Sequence, residues 1–69
     1  MNLRINDPAL RAEFARHFER AGFTVESRHD GILVKRPDAP DPAQARREIV
    51  AHAQIWELMH PEARVEQLD

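Results

Sequence analysis

The residues best equipped for chemistry in this chain are its histidines, His17, His29, His52 and His60. Imidazole exchanges a proton near neutral pH, and its neutral ring nitrogen is a good ligand for a borderline metal ion. His17 and His52 fall at the margins of the apolar stripes of two predicted helices. If those helices lie side by side on a sheet, the two rings can approach and contribute to a metal site or a proton-transfer pair. His17 and His52 are therefore the candidate ligand or metal residues. No His-x3-His spacing accompanies them. His29 precedes an expected turn, and His60 ends a helix, where a cation suits the dipole.

Other chemistry is poorly supplied. Thr24 and Ser27 are the only side-chain hydroxyls, both on a predicted strand and without the Gly-rich context of a strained nucleophile turn. Cysteine is absent, which excludes disulfides and thiolate metal sites. Gly22 and Gly31 are isolated, so there is no phosphate loop and no dinucleotide fingerprint. No catalytic residue is assigned, and no cofactor is expected.

The elements that must position these side chains are marked by two Asp-Pro-Ala triplets, Asp7-Pro8-Ala9 and Asp41-Pro42-Ala43. Aspartate can accept a hydrogen bond from a free N–H of a first helical turn, and proline fits the first helical position because its missing donor has no partner there. Aligning the two copies gives little further identity, so they read as convergence on a good helix start. Before the first, Met1, Leu3 and Ile5 alternate with polar residues as in a half-buried strand. After it, Leu10, Phe14, His17, Phe18 and Ala21 recur at helical spacing, and Gly22 stands where a left-handed cap belongs. Phe23 to Arg36 reads as a hairpin turning at Asp30-Gly31. That turn sets Ser27 opposite Val34, Val25 opposite Arg36 and Glu26 opposite Lys35. Phe23, Val25, Ile32 and Val34 share one face. Pro37, Pro40 and Pro42 stiffen the connection into a second helix, Pro42 to His60, which Pro61 stops. Residues 63–67 could pair as a last edge strand.

This order, βαββαβ, resembles the ferredoxin-like, split βαβ arrangement over the whole of residues 1–69, a single small α+β domain. The resemblance implies a four-stranded antiparallel sheet with two helices on one face and the first and third strands central. The expected core is Leu3, Ile5, Leu10, Phe14, Phe18, Phe23, Val25, Ile32, Val34, Ile49, Ala53, Trp56 and Val65. Because that arrangement hosts many activities, it gives little guidance on function.

Charge and composition narrow the partners. Charged residues make up 32% of the chain and balance to −2, which argues against a dedicated nucleic-acid binder. The expected open sheet face carries Arg4, Arg28, Lys35 and Arg64 against Glu26 and Glu66, with none of the aromatics on which RNA bases stack. No apolar stretch reaches membrane-spanning length and no secretory pattern opens the chain, so the expectation is a cytoplasmic protein with no membrane contact.

The second helix is the unusual element. At about 100° per residue, Ala45, Ile49, Ala53 and Trp56 form a core stripe. Leu58, Ala51, Ile55 and Met59 extend the apolar arc to roughly 200°, about twice what a helix lying on one sheet requires. Ile55, Trp56, Leu58 and Met59 are therefore the candidate interface residues. The preferred expectation is a non-enzymatic interaction module that acts as a homodimer or accessory subunit. A chain of 69 residues with no disulfide stands to gain from such an interface. The alternative is a small-molecule or metal-binding ferredoxin-like dimer, enzymatic activity included, that uses His17 and His52.

Overall fold

The computed structural model describes residues 1–38 and 41–68. Pro40, assigned above to the stiff connection, lies outside them. The chain forms β1 (Asn2–Ile5), a short 3-10 turn (Pro8–Leu10), α1 (Arg11–Arg20), β2 (Thr24–Arg28), β3 (Gly31–Lys35), α2 (Pro42–Met59) and β4 (Val65–Gln67). The strands make one open four-stranded sheet in the order β2-β3-β1-β4, with every neighbouring pair antiparallel. The fold is therefore α+β.

Both Asp-Pro-Ala triplets cap as their chemistry requires. Asp7 Oδ1 accepts from the Ala9 N–H at 3.0 Å, and Asp41 Oδ1 accepts from the Ala43 N–H at 2.9 Å. They differ in what they start. Asp41 caps α2 directly, whereas Asp7 caps the 3-10 turn, and α1 follows from Leu10 with no side-chain cap. At the other end of α1, Gly22 adopts φ +95°, the Gly22 N–H donates to Glu19 O, and the Phe23 N–H donates to Phe18 O. This double closure is a Schellman cap, and the Phe18 and Phe23 rings complete it with an edge-to-face contact at 5.6 Å.

The hairpin differs from its expected register. Its turn is His29-Asp30, and Val25 pairs with Val34, Glu26 with Leu33 and Ser27 with Ile32. No described residue except Gly22 has positive φ, so Gly31 does not serve a left-handed turn. It serves close approach instead. A Cβ built on Gly31 would stand 2.0 Å from the Leu3 carbonyl oxygen of β1. Each strand is displaced by one residue relative to the turn, in opposite senses, so the separation of faces survives.

Alternation along the strands sends Leu3, Ile5, Ile32 and Val34 to one face, where they join Phe14, Phe18, Phe23, Ile49, Ala53, Trp56 and Ala63 in one buried cluster. Both helices cover that face. Leu10, Val25 and Val65, expected in the core, are partly buried against its edge. Val25 and Val65 lie on the two edge strands, where no further strand closes over them. Ala63 has no periodic neighbour to reveal it, and it is buried because residues 60–64 fold back under α2. The last strand is held by pairing to β1, and by Asn6, which accepts from the Arg64 N–H at 2.7 Å and donates to Glu62 O.

Candidate functional site

The packing of α1 against α2 brings the two candidate histidines together. His52 Nδ1 lies 3.3 Å from His17 Nε2, with ring centroids 5.3 Å apart. The helices converge there because Phe14 packs on Trp56 and Phe18 on Phe23, which leaves His17 and His52 at the upper margin of the same aromatic layer. Beside His17, the rings around His52 are Phe23 at 5.4 Å and Phe18 at 6.2 Å, so it is partly enclosed by apolar edges. A hydrogen bond across the histidine contact requires one nitrogen to carry a proton and the other to be bare, so it cannot persist when both rings are imidazolium. Burial holds the His17 pKa below its ordinary value, with further lowering from His52, His60 and Arg20.

A third histidine closes the same end. The His60 ring stacks on Trp56 at 3.7 Å between centroids and 20° between planes. Its Nδ1 stands 3.2 Å from the Trp56 carbonyl oxygen, which can only accept, so the proton sits on Nδ1. Spacing could have suggested this contact, since His60 follows Trp56 by one helical turn. Between α1 and α2 an open cleft is lined by Glu13, Arg16, His17, Arg20, Met59 and His60. Among the described residues no cluster of three or more His, Cys, Asp or Glu is placed to hold a metal ion. His29 is remote from the others, on the hairpin turn and exposed.

The candidate interface residues divide. Trp56, expected among them, is 3% exposed and belongs to the core, because its position on α2 points into the sheet between Phe14 and His60. Its indole N–H is buried with no hydrogen-bond acceptor among the described residues. Ile55, Leu58 and Met59 are 45%, 82% and 55% exposed. On the helical wheel Leu58 and Ala51 lie almost diametrically opposite the stripe of Ile49, Ala53 and Trp56, with Ile55 beside them. The apolar arc thus continues past the flank to the pole of the helix that faces away from the sheet.

The open face of the sheet has the opposite character. Arg4 grips both Glu66 oxygens across β1 and β4, at 2.6 and 2.5 Å. Glu26 lies within 4 Å of both Arg28 and Lys35. Each of these charges has a partner within the sheet. No described helix is long and apolar enough to cross a membrane. Comparison of the chain with protein-family models, with curated proteins and with solved structures finds no match.

Proposed function

We propose that the chain is a non-enzymatic association module of ferredoxin-like topology that pairs with a second copy of itself through the outward face of α2. The topology is supported by the strand order β2-β3-β1-β4 and by the two helices that link β1 to β2 and β3 to β4. The association is carried by one observation: the most exposed large apolar side chain, Leu58, stands beside Ile55 and Ala51 at the pole of a helix whose other side is already buried. Ala51, Ile55 and Leu58 form a ridge with small and large ends. In an antiparallel pair centred near Ile55, Leu58 of one copy fits over the small Ala51 of the other, and the reverse contact follows by symmetry. This self-complementarity favours a second copy over an unrelated partner. Burying Ile55, Leu58 and Met59 would contribute on the order of 5 kcal/mol at the interface. A core built from so short a chain gains substantially from that.

Light scattering behind size exclusion, over a dilution series from hundreds to a few micromolar, tests this reading. The mass should be twice that of the 8.0 kDa chain at the high end and fall on dilution. Leu58→Glu should hold the mass at one chain throughout, with an unchanged far-UV circular dichroism spectrum. A wild-type chain that is monomeric at every concentration would sink the proposal.

A further inference from the structure

The contact between His17 and His52 carries an inference of its own, independent of self-association. We infer that His17 Nε2 and His52 Nδ1 form a two-ligand site for a tetrahedral, imidazole-seeking divalent cation of the zinc type. Two nitrogens bound at about 2.0–2.1 Å to a tetrahedral ion stand about 3.3–3.4 Å apart. The observed separation is 3.3 Å. In an octahedral site with the same bond lengths, adjacent nitrogens would stand only about 2.9 Å apart. The centroid spacing points the same way. Two imidazoles meeting head on at 3.3 Å would put their centroids about 5.6 Å apart, whereas two on one tetrahedral ion come to about 5.2 Å. The observed spacing is 5.3 Å, with planes inclined at 63°.

The surroundings hold this geometry before any ion arrives. His17 stands edge-on to Phe18 at 5.5 Å and His52 edge-on to Phe23 at 5.4 Å, and the ring that carries the shared proton must pass it to its other nitrogen before both rings can bind an ion. Preorganised ligands lose little freedom on binding. The two remaining coordination positions are left to water or to a small anionic ligand, because the described residues supply no third protein ligand. A site of this kind binds reversibly and more weakly than a four-ligand structural zinc site.

The test uses the tag-free chain and zinc chloride alone, at pH 7.5. Saturating zinc should raise Tm of the wild type by about 2–5 °C. His17→Gln and His52→Gln should each abolish the rise, while His29→Gln retains it. In the wild type, ring-nitrogen NMR should show zinc-dependent shifts at His17 Nε2 and His52 Nδ1 and none at His29, a readout that stands even if a variant fails to fold. No rise in Tm, a rise that survives both substitutions, or shifts centred on His29 or His60 would each overturn the site. Repeating the titration on Leu58→Glu separates the two proposals, since the histidine contact lies on a different face of α2 from Leu58.

Discussion

The open face of the sheet and the outer face of α2 both look into solvent, yet they are built on opposite principles. On the sheet, β1 and β4 present Arg4 and Glu66 directly opposite each other, and β2 and β3 present Glu26 between Arg28 and Lys35. Those charges satisfy one another at the surface, beside the half-buried Leu33 and the 41% exposed Leu68. On α2, Leu58 is 82% exposed with Ile55 and Met59 around it, and water meets methyl groups where it should meet charge. Single exposed leucines are ordinary; the apolar ridge opposite a complete core stripe is the surface proposed above to pair with a second copy. The lesson is that exposure alone does not distinguish two surfaces of such different make-up. The chemistry of what is exposed does.

The sharpest way to break the comparison lies within α2 itself. Trp56 and Leu58 are two residues apart and point to opposite sides of the helix. Trp56→Ala should cost about 3–5 kcal/mol in urea unfolding, the usual result of emptying a buried aromatic site. Leu58→Ala, measured at a concentration where the chain is monomeric, should stay within about 0.5 kcal/mol of wild type. If Leu58→Ala costs as much as Trp56→Ala, Leu58 belongs to the protomer's own core and the two surfaces are not different in kind.

A smaller effect is expected where α1 meets α2, between those surfaces. The His17 pKa is lowered in the folded protein, so the unfolded chain binds its proton more readily. The contribution of His17 to stability is therefore complete above its ordinary value of about 6.5 and is lost as pH falls through that region. The groups facing it are His52, His60, Arg20, Arg16 and Glu13. Urea midpoints from pH 7.5 down to pH 5 should fall in the wild type and fall less in His17→Gln. Equal slopes would remove the contact as a source of acid sensitivity.

The smallest effect belongs to the sheet face. Glu66→Gln should change the thermal midpoint only slightly in low salt and not at all at 1 M sodium chloride, because the pair with Arg4 is exposed and screened. A large loss that resists salt would show that the face carries more than paired surface charge.

Much of this fold could be read from local patterns. The alternation of Leu3 and Ile5, the stripe of Phe14 and Phe18, and the Gly22 cap each depend on neighbours a few residues away, and each appears where spacing puts it. The hairpin register could not be read that way. Asp30-Gly31 is a strong turn signal locally, but β1 runs against Gly31 and needs its missing Cβ, a demand set by residues some 28 positions earlier. Periodicity alone put Trp56 on the core stripe, but only the packing of Phe14 and His60 against its ring decided that it is 3% exposed and has no surface left for an interface.

The sequence by itself determined where helices and strands begin, which stripe of each is apolar, and that α2 has more apolar surface than a single sheet can use. These follow from capping chemistry and from periods of 3.6 and 2, which are properties of a few consecutive residues. Only the tertiary structure decided that His17 and His52 meet at 3.3 Å, that Gly31 admits the β1 backbone, and that Leu58 is the side chain left outside. Those facts depend on how two helices settle on one sheet, and the packing distances that fix them join residues far apart in the chain.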